Sequence, residues 1–287
     1  MSVFALRAVR DGATQVLRRW WGAERSIVGY PKCGNTWVQV MVRKALVLAY
    51  GLPETAMSTV LNEWRFRQLV TGIPAIGITH HMPRFNDESS RTMQLDFSVF
   101  RHRKVVLLIR DPKDVLVSLY MHNVHRERVP LYQGDIGSMV MDEVYGLEKY
   151  LAYYTAWHAN RGLPRALRLV RYEDLSQETA GVLKEMLEFL DLPNVTDELV
   201  RDVVAYGSFE NMRKLETTNA LQLPTLAAPQ RTAEEAFKVR KGIVGDYVNH
   251  LSPETIRDID RRVQAELPPF YGYASARPSE PAHALIR

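Results

Sequence analysis

Lys32, Cys33, Gly34, Asn35 and Thr36 stand between a short apolar run that opens at Ile27 and a stripe of Val38, Met41, Val42, Ala45 and Leu46 at helical spacing. A strand that turns sharply into a helix aims free backbone N–H groups and the positive end of the helix dipole at one point, and that point suits an anion. Gly34 lets the backbone come close to the anion, Lys32 adds a mobile positive charge and Thr36 a hydroxyl. The lysine precedes the glycine, so the stretch is not a Walker A loop of the form GxxxxGK[ST]. Cys33, beside a lysine at a helix N-terminus, sits where a thiol pKa is lowered, yet no partner for a nucleophile is recognisable and the residue reads as structural. His80 and His81 close a second apolar run, and histidine titrates in the range a general base needs. Arg110 ends a third run, and Arg240, Lys241 and Gly242 form a basic turn further on; arginine offers the planar fork that a terminal phosphate accepts. His122 and His125 are three apart, but no carboxylate or thiol pattern completes a metal site around them. His102, His158, His250 and His283 read as structural or surface residues.

The elements that must position these groups can be read from periodicity. Residues 104–109 (KVVLLI) form the clearest strand, an unalternating apolar run of the kind covered on both faces in a parallel sheet. Runs at 75–79 and 166–171 read as further strands. Helices are expected over 54–69, 114–122, 136–159, 178–190 and 196–205, the last capped by Thr196, and a final helix starts at Ser252-Pro253. Alternating strands and helices imply an α/β fold with a central, mainly parallel sheet, and the phosphate cradle makes it P-loop-like, a three-layer α/β/α arrangement. Ligands in such sheets bind beyond the carboxyl ends of the strands, which brings Lys32, the histidine pair and Arg110 to one edge.

The 287 residues are 46% hydrophobic and 24% charged, as in a folded enzyme, with a net charge of +4. A pI near 9.1 suits an anionic ligand but is too mild to argue for nucleic acid. A single cysteine excludes an intrachain disulfide and points to a reducing compartment. No run approaches the ~20 apolar residues that cross a bilayer, so a soluble cytoplasmic protein is expected. Residues 1–25 form a basic amphipathic extension without a secretory signal; it docks on the domain by its tryptophans or, through residues 1–22, lies on an anionic membrane. The main domain is placed at 26–273 and a flexible tail at 274–287, and residues 217–235 read as a mobile loop.

Three clusters together, Y30-P-K-C-G-N-T-W37, R110-D-P-K-D-V-L-V-S118 and R240-K-G-I-V-G-D-Y247, resemble the sulfotransferases that use 3′-phosphoadenosine 5′-phosphosulfate (PAPS) and release 3′-phosphoadenosine 5′-phosphate (PAP). The family's motifs read YPKSGTTW, RNPKDVxVS and RKGxxGDW, and the resemblance runs from about Ile27 to Leu251. It implies that Lys32, Cys33, Gly34, Asn35 and Thr36 hold the 5′-phosphosulfate, and that Arg110, Ser118, Arg240, Lys241 and the Gly242 backbone hold the 3′-phosphate. Trp37 would stack on adenine, with Tyr172, Ser208 and Phe209 lining the pocket. Taken alone, Arg110 and Arg240 would read as ion pairs with Asp111 and Asp246, and Trp37 as a core aromatic. The family's base lies in a K-T-H-L-P segment; here I78-T-H-H-M-P83 matches it at His80 through the Thr-His pair or at His81 through the distance to Pro83. In the first register Ile78 replaces the family's lysine, so a second cation is missing or comes from Lys104 or elsewhere. The implied activity is metal-free transfer of a sulfuryl group from PAPS to an acceptor hydroxyl, with Lys32 on the leaving oxygen. Acceptor-facing segments are expected at 82–90, 123–134 and 217–235, with Arg84, Phe85, Arg126, Arg128, Leu131 and Tyr132; they do not choose between a phenol, an alcohol, a lipid and a sugar. A non-catalytic PAP- or PAPS-binding protein is the alternative. A P-loop kinase is disfavoured by the missing Walker A order and magnesium-binding aspartate.

Overall fold

The apolar runs become one sheet: β1 (Arg25–Gly29), β2 (Ile76–Thr79), β3 (Lys104–Ile109) and β4 (Ala166–Arg171) are parallel, in the order β2-β1-β3-β4. A two-residue strand, β5 (Leu285–Ile286), pairs antiparallel with Leu167 and Arg168 at the outer edge. This is a computed structural model, and it describes residues 24–61, 72–82, 85–126, 129–228, 234–273 and 285–286. Residues 1–22, expected to dock on the domain or to lie on an anionic membrane, fall outside them, as does most of the tail at 274–287. Among the described residues no helix is long and apolar enough to cross a membrane.

Val105 to Ile109 are all buried, as the unalternating pattern requires of a strand covered on both faces. The coverage follows from topology. Crossovers are right-handed, and the chain leaves β1 in one direction to reach β2 and in the other to reach β3 and β4, so helices fall on both faces. On one, α1 (Asn35–Ala49) packs against a helix further along the chain. The intervening helices are α2 (Pro112–Met121), α3 (Ile136–Val140), α4 (Leu147–Ala159), α5 (Tyr172–Gln177) and α6 (Thr179–Phe189). The partner of α1 is α7 (Asp197–Tyr206), which is followed by α8 (Phe209–Thr218) and α9 (Pro253–Glu266). On the other face α2, α4 and α9 pack together. Thr196 caps α7 by accepting from the Leu199 N–H, and Ser252 caps α9 by accepting from Thr255, each worth about 1 kcal/mol.

Three expectations change. The helix predicted over 136–159 is two helices, because residues 141–146 turn back on themselves: Asp142 accepts from the Val144 and Tyr145 N–H groups, and a Cβ at Gly146 would lie 2.4 Å from the Asp142 carbonyl oxygen. The stretch 54–69 opens as a 3-10 turn, Glu54–Ser58, with 62–71 outside the described residues. The supposed loop at 217–235 is anchored where it is described: Leu221, Leu223 and Leu226 are buried with Val40, Val47 and Met212 in a second small core. Its apolar residues answer to α1 and α8 rather than to a period of their own.

Candidate active site

The strand order reverses between β1 and β3, and a crevice at such a point is where an α/β sheet takes its ligand. Every parallel strand delivers chemistry there: β1 leads into Lys32–Thr36, β2 into His80, β3 into Arg110 and β4 into Tyr172. One cavity of about 940 Å³ lies over these ends. In the cradle, Gly34 caps α1 with φ 94°, and a Cβ there would approach a Tyr172 ring carbon to 2.8 Å, so only glycine fits. Lys32 is also left-handed, φ 74°, a strain of roughly 1–2 kcal/mol held at the point where the loop meets the cavity. Its ammonium has no hydrogen-bond or ion-pair partner among the described residues. Burial, then Lys238, Arg126 and Arg110, push its pKa well below the usual lysine range, against the pull of Glu216.

His80 faces the same cavity. Its Nδ1 lies 2.8 Å from the Gly29 carbonyl oxygen, which can only accept, so Nδ1 carries the proton and Nε2 keeps its lone pair. The ring is open to the cavity yet densely surrounded, and that surrounding, with Lys238 and Lys32 behind it, lowers its pKa to about 4 despite the hydrogen bond to Gly29. His81 points elsewhere. Its ring packs edge-on against Phe97, Phe100 and Trp157, its Nε2 is 3.0 Å from the Asp96 carbonyl, and it does not line the cavity.

A row of tyrosines on α4 fixes the loops from behind. Tyr150 donates to the Arg110 carbonyl (2.6 Å), Tyr153 to His80 (3.0 Å) and Tyr154 to Leu108 (2.7 Å). The Tyr154 hydroxyl also lies 3.3 Å from both the Tyr30 N–H and Cys33 Sγ. Cys33 is therefore buried behind the cradle rather than in the cavity, and burial raises its thiol to about 12. The lowered pKa inferred from its helix N-terminus does not hold, because desolvation outweighs the dipole.

The other half of the cavity is built from ions. The Arg110 guanidinium stacks 4.3 Å over the Tyr172 ring and lies 3.3 Å from Asp114 rather than Asp111, and its Nε is buried without a partner. Asp114 also accepts from the Gly245 and Tyr247 N–H groups at 2.9 and 3.3 Å, tying the turn at 240–247 to α2. Within that turn Asp246 accepts from Arg240 (3.1 Å) and Lys241 (2.9 Å). Burial opposes its ionisation, but hydrogen bonds from Lys241, Asn249 and His250 hold it well below the usual carboxylate range. Ser118, Arg240, Lys241 and Gly242 line the cavity with Trp37, Tyr172, Ser208 and Phe209. Trp37 donates its Nε1–H to the Gly207 carbonyl at 2.8 Å and meets Tyr172 edge-on, and Ser208 caps α8.

A family model described as the sulfotransferase domain matches residues 25–270. The chain belongs to the PAPS-dependent sulfotransferase family. It is 26% identical over 260 residues to cytosolic sulfotransferase 12 of Arabidopsis thaliana, covering 83% of this chain and 75% of that one. To sulfotransferase 2B1 of Rattus norvegicus it is 28% identical over 266 residues, 89% and 75% of the two chains. The match to cytosolic sulfotransferase 14 of Arabidopsis thaliana, 30% identical, covers 57% of this chain and about half of that protein (48%). The fold is similar to mouse sulfotransferase SULT7A1 complexed with PAP, at TM-score 0.58 and 18% identity over 85% of this chain and 84% of that one. It is likewise similar to retinol dehydratase in complex with androsterone and PAP, at TM-score 0.58 and 16% identity over 84% and 79% of the chains.

For this sulfotransferase-family chain the sequence singled out many of the cavity-facing groups, though not His122 or Lys238, and not what holds them. Asp246 was named as the ion-pair partner of Arg240, and the pair forms, but Asp114 and the tyrosine row were missed; Tyr150, Tyr153 and Tyr154 share a helix face at i, i+3, i+4 spacing, a visible signal that does not say what their hydroxyls reach. Lys104 cannot stand in for the lysine missing at Ile78, because it lies at the far end of β3 and pairs with Asp191. Of the expected acceptor segments, Met82, Phe85, Asn86, Asp87 and Asn123 line the cavity, whereas Arg126 is buried against Glu216 (2.7 Å) and Arg84 and Arg128 lie outside the described residues. His122, weighed only as half of an incomplete metal pair with His125, also lines the cavity.

Proposed function

We propose that the protein transfers a sulfuryl group from PAPS to an acceptor hydroxyl, with His80 as general base and Lys32 on the leaving oxygen. The observation that carries this reading is the His80 tautomer: an imidazole held by Gly29, neutral above pH about 4, with Nε2 free on the cavity that Lys32 and the arginine pair share. The donors fit the ligand. Arg110 Nε is buried and unpartnered, Lys32 has no partner among the described residues, and an anion satisfies both.

In the reaction the acceptor oxygen attacks sulfur in line with the S–O–P bridge. His80 Nε2 takes the acceptor proton, the S–O bond to the bridging oxygen breaks, and that oxygen stays on the 5′-phosphate of PAP, where Lys32 meets its growing charge. Arg110, Arg240 and Lys241 hold the 3′-phosphate and set the line of attack, while Trp37, Tyr172 and Phe209 flank the adenine. The acceptor, a small molecule or a lipid or sugar hydroxyl, enters past Met82, Phe85 and Asn123. Relatives named as cytosolic fit a cytoplasmic setting for this chemistry.

Incubating the purified protein with radiolabelled PAPS and a panel of alcohols, phenols, lipids and sugars tests the proposal. Label transfer that disappears in His80→Ala supports it. Tight PAP binding with no transfer to any acceptor favours the non-catalytic alternative.

A further inference from the structure

The phosphosulfate end of the cavity is short of one positive charge. A 5′-phosphosulfate carries two negative charges, one on the phosphate and one on the sulfuryl group, and in the cradle only Lys32 opposes them. The family's second lysine is Ile78 here, a side chain packed against the hydrophobic core. Among the described residues three other cations act on Lys32: Arg110, Arg126 and Lys238. Arg110 is held by Asp114 and Tyr172 at the other end of the cavity. Arg126 is committed, since its guanidinium bonds Glu216 and the Ala236 and Ala227 carbonyls. Lys238 is not.

Lys238 reaches the cavity from a wall unrelated to β2. Its backbone is fixed, because the fully buried Glu216 accepts from the Lys238 and Val239 N–H groups, each at 2.8 Å. Its ammonium donates to the Thr225 carbonyl at 2.7 Å, and the Thr225 hydroxyl in turn donates to Gln39 at 2.9 Å. Gln39 lies one turn into α1, the helix whose N-terminus is the cradle. The charge therefore stands beside the cradle helix. Glu216 spends its oxygens on Arg126 and on backbone, so no carboxylate pairs with the Lys238 ammonium among the described residues, and one of its three donors is used.

We infer that Lys238 is a catalytic residue that supplies the second cation, meeting the non-bridging oxygens of the sulfuryl group while Lys32 meets the bridging oxygen. The inference rests on the sulfuryl-transfer reading. In the step described above it adds no bond change: the S–O bridge breaks, the acceptor S–O bond forms, the proton goes to His80, and Lys238 keeps its own proton. The family's lysine position has thus been vacated on one wall and refilled from another.

The test is single-turnover loss of label from PAPS, to acceptor or to water, together with calorimetric affinity for PAP, which lacks the sulfuryl group. Lys238→Met should cut turnover roughly 10²-fold, the cost of removing one preorganised charge-stabilising donor, with PAP affinity within about threefold of wild type. Lys238→Arg should keep most of the turnover, and Ile78→Lys placed in Lys238→Met should restore part of it. Turnover unchanged in Lys238→Met overturns the inference alone, and parallel loss of PAP affinity and turnover shows a structural role and overturns it too. Wild-type protein that does not bind PAPS overturns the sulfuryl-transfer reading and the inference with it.

Discussion

The two halves of the cavity are held in shape by different physics. At the cradle end the hydroxyls of Tyr150 and Tyr153 donate to the Arg110 and His80 carbonyls after β3 and β2, and Tyr154 donates to the Leu108 carbonyl in β3 and accepts from the Tyr30 N–H after β1. These bonds are uncharged and independent of any ligand, and they leave Lys32 and His80 Nε2 unpaired. At the other end Arg240, Lys241 and Arg110 are held by Asp246 and Asp114. There the carboxylates stand in for an anion and keep the cations from repelling one another. A site that only binds can be made of ion pairs that loosen to share their cations. A site that must place a base and a leaving-group cation needs a frame that does not move when ligand arrives.

His80→Ala should break the neutral half most severely, lowering kcat by about 10²–10⁴-fold with PAP affinity and Tm unchanged. Steady-state kinetics beside PAP calorimetry checks this; near-wild-type turnover removes His80 as the base. Tyr154→Phe leaves the Leu108 carbonyl and the Tyr30 N–H without their partner, so urea unfolding should show a loss of roughly 1–3 kcal/mol. Charge governs the pH profile. Burial, with Arg126 adding to it, lowers Lys238 to about 8 against Glu216, so it loses its proton as pH rises through that value. PAPS kcat/KM should fall above pH about 8, with Lys32, itself pushed well below the usual lysine range by burial, adding to the same fall, and the acid limb should lie near 4, where His80 gains its proton, rather than at the ordinary histidine value of ~6.5. The smallest effect belongs to Cys33→Ser: with the thiol buried and raised to about 12, kcat should change less than about threefold and iodoacetamide should react slowly with the native wild type.

Much of this architecture was legible because local pattern and global fold agree. KVVLLI is a strand covered on both faces, and Thr196 and Ser252 cap the helices that their types announce. The break at 141–146 was not legible, since Met141, Val144 and Tyr145 keep the helix looking continuous and the turn depends on a side-chain bond from Asp142. The site divides the same way. Residues facing the cavity belong to short contiguous motifs, whereas their supports come from distant stretches: α4 for the loops, Asp114 for the turn at 240–247, and Glu216 and Thr225 for Lys238. The ambiguity between His80 and His81 could be addressed only in space, where one ring faces the cavity and the other an aromatic box.

The cavity is proposed to hold two anions of one nucleotide, and calorimetric titration of PAP against adenosine 5′-phosphate, in wild type and in Arg240→Ala, tests this most directly. Wild type should bind PAP roughly 10–100-fold more tightly, since charge-assisted hydrogen bonds to a phosphate are worth about 1.5–3 kcal/mol, and Arg240→Ala should lose most of that preference. Equal affinity for the two nucleotides in wild type would contradict the account.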